Sequence, residues 1–518
     1  MKLRKKDAII ILSLVFLSLW VRLSTLMMVH TGVDERDYWF AAKAISQGLP
    51  YPELSHRTVR WAVILPVALA QSLFGSHPNA YYVMPLLAAL SQAVLVYLLG
   101  RALNGRLAGS LASIALTFFP YQIRAASQVR PEIFSMTYVL LAALALVRYV
   151  RSSSDRARIS AAVLAALATF LAYEAKITNL FFMPGIAIAI LLYSKGKGLK
   201  DALAYGGVLA GLYLAETAAY AALTPYALGH LAVIASHHLS SEFASPLGGF
   251  LDLFKRYAPE NLELYWSIPF LAFAALAFMS FAPRRPAAFA RAGDPATKAV
   301  TLASLSFFLF VTFAVTSVDP LLPAEDFINR YFCAVLPLVL AVLASAASDA
   351  IARFPSARAN FARAFSGWRA PAASLILCGL VTLAFSLPIV PRSVRPFAHT
   401  PLRAGDHPLA LNSEYRALVT RAYDEGTPIV AADGNGGMNA ALTATYFFLD
   451  ESRYSGGRPP SPTKGLSGDV PVYVVARDAG NAALEGDALF VVRNPFRAMV
   501  FGARRAAELD SDSFPKDN

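Results

Sequence analysis

Apolar runs of about twenty residues recur along the first three quarters of this chain, and a helix of that length matches the roughly 30 Å hydrocarbon core of a bilayer. Repeated so often, such runs leave a polytopic α-helical membrane protein as the fold class. Only 15% of the 518 residues are charged and 56% are hydrophobic. A soluble protein would carry roughly a quarter charged residues. The expected spans are 8–28, 79–100, 107–121, 132–150, 158–173, 176–194, 202–222, 264–282, 299–318, 331–350 and 371–391, about eleven in all.

The net charge of +12 does not point to nucleic acid. Lys and Arg gather in short loops between apolar runs, where they orient spans, and neither zinc-finger spacing nor a recognition-helix pattern is present. The basic start, Met1 to Lys6, leads into an apolar run to about Met28. That run is too long for a signal-peptide core, and no small-residue cleavage site precedes Asp34. It reads as a retained first span with a cytoplasmic amino terminus. Alternate loops then carry the basic residues: Arg101 and Arg106; Arg148, Arg151, Arg156 and Arg158; Lys195, Lys197 and Lys200; Arg284, Arg285, Arg291 and Lys298; Arg353, Arg358, Arg363 and Arg369. The odd span count puts the carboxyl terminus outside. Cys333 and Cys378 fall within expected spans and read as small buried hydrophobes, with no disulfide framework or metal spacing.

Segment 37–75 is too long for a turn and too interrupted to span. Asp37–Gln47 and Trp61–Phe74 are expected as two helices lying at the outer interface. Loop 223–263, with His230, His237, His238, Glu242, Lys255, Arg256 and Glu260, is long enough to act as a lid. Beyond Ile389 short β-type runs appear at 428–432, 471–475 and 488–492, with a helical stretch at 438–448. A membrane module over 1–392 and a soluble extracytoplasmic α/β domain over 393–518 follow. The Asp433–Gly437 turn lacks a Walker lysine and dinucleotide spacing, and reads as a tight turn.

Four clusters fall where a span meets the outside: Asp34-Glu35, Arg130-Pro131-Glu132, Glu174-Ala175-Lys176 and Asn329-Arg330-Tyr331. Each has a bland explanation. Pro and Glu suit a first helical turn, Glu174 and Lys176 can pair in a turn, and Arg330 and Tyr331 are ordinary interface anchors. Together on one face, they point to chemistry.

The acidic pair after the first span, the interfacial helices, the second acidic site before the fourth span and the late Arg-Tyr resemble the GT-C glycosyltransferases. The likeness is to the group of protein O-mannosyltransferases and aminoarabinose lipid A transferases, and covers about residues 8–350. Asp34-Glu35 with Tyr38, Phe74-Gly75, and Arg330-Tyr331 with Pro337 match that group's motifs. Asp37 stands where the aminoarabinose transferases carry Arg, with Arg36 one place earlier, and Glu132 stands where many relatives carry Asp.

The resemblance implies a GT-C fold and a polyprenyl-phosphate sugar as donor, with lipid A, a saccharide or a protein as acceptor, at the outer face of a bacterial cytoplasmic membrane. It implies Asp34 as general base, with Glu35 and Glu132 as further catalytic carboxylates. Arg330, then Lys176 and Arg130, with Tyr331, would meet the donor phosphate. Arg36, Asp37, Tyr38, Glu174, His237 and His238 would line the substrate, and direct displacement with one base would invert the anomeric centre. Asp34, Glu35, Glu132 and Glu174 have oxygens suited to a divalent cation, but the group resembled works without one, so no cofactor is expected; adjacent His237-His238 lacks zinc spacing. A monomer is expected. Two rivals differ in what they require. A lipid-linked polysaccharide polymerase or ligase would lack the acidic pair after the first span. A transporter would place ionisable residues inside spans, where Glu216 is the main acid, and would show a repeated half.

Overall fold

The computed structural model describes residues 5–26, 33–194, 196–226, 228–239, 247–258, 261–262, 264–282, 293–318, 321–323 and 329–353. Further along it describes 420, 423–424 and four strands at 429–431, 471–476, 488–494 and 497–505. The expected span 371–391, the helical stretch 438–448, the 433–437 turn and Cys378 lie outside the described residues. Cys333 is buried with a free thiol.

The chain is mostly helical. Helices α1 (Lys5–Ser24), α2 (Val33–Gln47), α3 (Trp61–Phe74), α4 (Ala80–Thr117), α5 (Pro120–Ala125), α6 (Pro131–Arg151) and α7 (Asp155–Ala175) come first. They are followed by α8 (Phe182–Leu192), α9 (Gly198–Leu223), α10 (Gly229–Leu239), α11 (Leu264–Phe281), α12 (Pro295–Phe313) and α13 (Leu336–Arg353). Among the described residues six helices, α1, α4, α6, α7, α9 and α12, are long and apolar enough to cross a membrane.

These six cover seven of the ten expected spans that fall among the described residues; the other three, 176–194, 264–282 and 331–350, appear as shorter apolar helices. Spans 79–100 and 107–121 appear as the single element α4, but Asn104 (φ −149°, ψ 37°) and Gly105 (φ 83°) leave helical geometry. The two halves fold back on each other. Ser113 Oγ donates to the Ala93 carbonyl at 2.8 Å, and a Cβ on Gly109 would lie 2.5 Å from the Tyr97 carbonyl oxygen. Close approach of the two halves therefore requires glycine at 109, and Gly105 supplies the positive φ of the turn. Gly109→Ala should destabilise the protein by about 1–3 kcal/mol through overpacking, read as a lowered midpoint of thermal unfolding in detergent. Span 176–194 begins as a 3₁₀ turn (Ile177–Phe181) before α8, and the last described span starts only at Leu336, after a 3₁₀ turn at Asn329–Phe332.

The interfacial pair is present as α2 and α3. Gln71 Nε2 donates to the Trp39 carbonyl at 3.1 Å, and its side-chain oxygen accepts from Ser46 Oγ at 3.1 Å, locking the two helices together. The expected start at Asp37 is corrected to Val33, which moves Asp34 and Glu35 into the first helical turn. Carboxylates are favoured there by the exposed N–H groups and the dipole. The expected loop 223–263 contains α10 and a 3₁₀ segment, Phe250–Tyr257.

Charged side chains collect in two connected sets at opposite ends of the helices. In one, buried Asp7 receives Arg101 (3.0 Å) and Arg106 (2.8 Å), Asn104 bonds Asp349 (2.7 Å), and Asp201 receives Arg158 (2.7 Å) and Tyr149 (2.9 Å). Arg151, at the same end, reaches Asp294 at 3.5 Å. These contacts join the start of α1 to the turn inside α4, that turn to α13, and the turn between α6 and α7 to the starts of α9 and α12. The other set is the candidate site. The apolar core between them is continuous from Tyr38 and Trp39 through α6 and α12 to α13.

The late strands form one mixed sheet. Strand β3 (Ile429–Ala431) pairs in parallel with β4 (Pro471–Ala476), which pairs antiparallel with β6 (Arg497–Arg505), which pairs antiparallel with β5 (Ala488–Asn494). Three of these are the β-type runs read from the sequence; β6 is additional. A short hairpin of β1 (Val315–Val318) and β2 (Leu321–Pro323) follows α12.

Candidate active site

At the far end from Asp7, residues from all four clusters come together as a ring of charges. The Asp34 carboxylate is bonded by Arg57 Nε through Oδ1, and Arg330 Nη1 lies 3.6 Å from Oδ2. Arg57 also reaches Asp37 (3.4 Å), which in turn accepts from Arg36 (2.8 Å). Glu35 is bonded by Arg130. Glu132 accepts from Lys176 Nζ at 2.9 Å, and that ammonium stands 4.2 Å from the centre of the Tyr331 ring. The Tyr38 hydroxyl accepts from Arg60 Nη1 at 2.6 Å.

Local sequence explains these positions. Arg130 is the extended residue before α6, Pro131 fills its first turn without a wasted N–H, and Glu132 follows at the N-terminal end. Lys176 is the extended residue that ends α7, so its side chain turns back toward α6. Arg57 and Arg60 sit on the segment between α2 and α3, held by Tyr51: its hydroxyl donates to the Thr58 carbonyl at 2.5 Å and its ring stacks on Trp61.

Accessibility separates the carboxylates. The Asp34 side chain is 27% exposed, whereas Glu35 and Glu132 are 1% and 3% exposed. Burial alone would raise the pKa of Asp34, but Arg57, Arg60 and Arg330 outweigh it and hold the group below the usual carboxylate range. The acidic partners raise Arg130 and Arg330 above their ordinary values against the effect of burial. Around the ring, Arg36, Arg57, Arg60, Arg130, Lys176 and Arg330 face Asp34, Glu35, Asp37 and Glu132. Cations exceed acids by two, which suits a phosphate-bearing ligand.

Arg57 and Arg60 are not marked out by the sequence, because segment 48–60 has no helical or strand period. Of the residues offered as oxygen ligands for a cation, Asp34, Glu35 and Glu132 are committed to Arg and Lys. Glu174 does not join that ring. It lies with Glu216 and His230, the ligand atoms of the three all within 4.8 Å. Burial lowers the pKa of His230 to about 4, so its imidazole is neutral. His237 and His238 fall in the last turn of α10, and their side chains lie outside the described residues.

Residues 62–220, from α3 to near the end of α9, match the family model described as dolichyl-phosphate-mannose-protein mannosyltransferase. No curated protein matches the chain. Among solved structures, ArnT from Cupriavidus metallidurans bound to undecaprenyl phosphate aligns over 94% of this chain and 97% of its own, at 14% identity and a TM-score of 0.47. The Archaeoglobus fulgidus oligosaccharyltransferase AglB, in complex with an inhibitory peptide and a dolichol-phosphate, aligns over 90% of this chain and 69% of its own, at 13% identity and a TM-score of 0.49. Nothing about individual residues transfers at those levels. The family match falls on the segment that carries Arg130, Glu132 and Lys176.

Proposed function

We propose that this enzyme moves a sugar from a polyprenyl-phosphate donor to a hydroxyl of a lipid, glycan or protein acceptor at the extracytoplasmic face of a bacterial cytoplasmic membrane, with Asp34 as general base. The carrying observation is that Asp34 is the most exposed acid of the ring, at 27% against 16% for Asp37, and stands between Arg57 and Arg330. The acceptor hydroxyl forms a bond to C1 of the sugar as the C1–O bond to phosphate breaks. Its proton passes to Asp34 and the bonding electrons leave on the phosphate oxygen. One base and no nucleophilic carboxylate gives inversion at C1.

The leaving polyprenyl phosphate gains a negative charge. Arg330 is the favoured partner, since its guanidinium is 31% exposed and its Nε makes no hydrogen bond among the described residues. Lys176 and Arg130 instead spend their hydrogen bonds on Glu132 and Glu35, so they shape the site from behind. Arg330→Ala should weaken donor binding about 10- to 100-fold, the range for losing one hydrogen bond to a charged group. The measurement is the KM for donor in proteoliposomes.

The pH dependence has a definite sign. The folded pKa of Asp34 is depressed, so the stability contributed by its ionised form is fully present above the unfolded value of about 3.9. That contribution is lost as pH falls through the lower folded value. Asp34 therefore imposes no acid limb on transfer between about pH 5 and 7, and rates measured across that interval should show none attributable to it.

The alternation of basic loops supports a cytoplasmic amino terminus, and the four-stranded sheet supports a separate unit after residue 392. We assign the residues from 393 onward to the extracytoplasmic side with the acceptor.

A further inference from the structure

Beside the charge ring, α7, α9 and the turn into α10 bring three ligand-type side chains into one buried place. His230 Nδ1 lies 3.8 Å from Glu174 Oε1 and 4.0 Å from Glu216 Oε1. The imidazole is fully buried, and the two carboxylates are 6% and 8% exposed. Among the described residues, neither ring nitrogen of His230 has a hydrogen-bond partner, nor has either oxygen of Glu174 or Oε2 of Glu216. Buried polar groups are rarely left so, and each orphan costs about 1–3 kcal/mol.

The backbone is shaped to make this meeting. Gly229 has φ +63°, and its Cα faces Glu216 so closely that a Cβ there would lie 3.4 Å from Oε1. The turn aims the His230 backbone N–H at the same oxygen, 3.1 Å away. Glu216 is thereby fixed with Oε2 pointing free, and His230 is held beside Tyr173, ring centres 5.1 Å apart.

We propose that Glu174, Glu216 and His230 form a binding site for a divalent transition-metal ion, for which zinc is the best match. Two carboxylates and one neutral imidazole carry two negative charges, so a divalent ion makes the buried group neutral overall. Imidazole favours zinc over calcium or magnesium. Ligand atoms around tetrahedral zinc, bonded at about 2.0–2.1 Å, stand about 3.3 Å apart. The observed 3.8 and 4.0 Å separations close to that by small side-chain rotations.

The ion acts as a brace. The Tyr220 hydroxyl of α9 accepts from Trp61 Nε1 at 2.9 Å, and Val233 and Ile234 of α10 pack with Val59. Joining α7, α9 and α10 thus steadies the segment that carries Arg57 and Arg60. Glu174, Glu216 and His230 are positioning residues in this account, and the inference stands without the transferase chemistry.

The test uses full-length protein, purified in detergent without a histidine tag, stripped with EDTA and dialysed against micromolar zinc. Elemental analysis should find one zinc per chain, magnesium and calcium should not displace it, and added zinc should raise the midpoint of thermal unfolding. Glu216→Gln and His230→Gln should each weaken zinc binding by more than about tenfold and lose that thermal response. The zinc X-ray absorption edge of the wild type should show one imidazole among oxygen ligands, a readout that does not depend on the variants folding. Sub-stoichiometric zinc, equal zinc in the variants, or a ligand shell without imidazole would overturn the site. So would variants that unfold later than the wild type with zinc having no effect, since that is the behaviour of carboxyls sharing protons.

Discussion

Replacing Asp34 with Asn is expected to lower sugar transfer by about 10²- to 10⁴-fold, the range for losing a positioned general base, while donor affinity changes little. The substitution keeps the shape of the side chain and its place in the first turn of α2. It removes the charge that Arg57 and Arg330 flank, so the Arg330 guanidinium, the proposed phosphate partner, should gain freedom and donor binding should not suffer. The loss should therefore fall in kcat and leave KM for donor nearly unchanged. Glu35→Gln should behave differently. That carboxylate is 1% exposed and bonded to Arg130, so its loss should appear first as reduced stability. A drop in kcat for Glu35→Gln matching that for Asp34→Asn, in protein of unchanged stability, would move the base to Glu35.

The second large effect concerns stability. Lys176 and Glu132 are 7% and 3% exposed and meet through Glu132 Oε1 at 2.9 Å, and among the described residues Glu132 Oε2 has no hydrogen bond. Lys176→Met keeps the length of the side chain but strands a buried carboxylate, and should cost about 3–5 kcal/mol. Adding Glu132→Gln removes that charge and should recover most of the loss, since a buried pair replaced as a pair is often near neutral. The recovery, measured by thermal unfolding of the single and double variants, separates a structural ion pair from two independent contacts. Equal losses in Lys176→Met and the double variant would show that the pair contributes nothing through its charge.

Much of this site is legible in the amino-acid sequence alone. Asp34-Glu35, Arg130-Pro131-Glu132 and Arg330-Tyr331 stand out because charge next to an apolar run is costly and needs a reason, and all of them enter the ring. Partnership is not legible. Nothing in the spacing shows that Arg130 turns to Glu35 rather than to its neighbour Glu132, since that choice is made by the fold, which brings the first turn of α2 beside the residue before α6. Arg57 and Arg60 escape notice because the segment between α2 and α3 has no period.

Glu216 is visible as an acid within a span and His230 as one of several loop residues. Their convergence depends on the positive φ of Gly229, which a sequence does not display. The hairpin in α4 is readable as two spans from the break in hydrophobicity near Arg101 and Arg106, although the hydrogen-bonding pattern runs on through Asn104. The start of α2 is hidden because Asp34 and Glu35 look like solvated loop residues, whereas they occupy the helix positions that favour carboxylates.

The most direct test of the central claim is transfer of radiolabelled sugar from a set of polyprenyl-phosphate donors in proteoliposomes, with envelope extract supplying acceptors and Asp34→Asn run alongside. The account predicts that one donor passes its sugar to an acceptor, that free polyprenyl phosphate appears in equal amount, and that the variant loses both while still binding that donor. Equal transfer by wild type and variant would contradict the assignment of Asp34. Transfer only from a nucleotide sugar, with every lipid-linked donor left intact, would contradict the reading of the site itself.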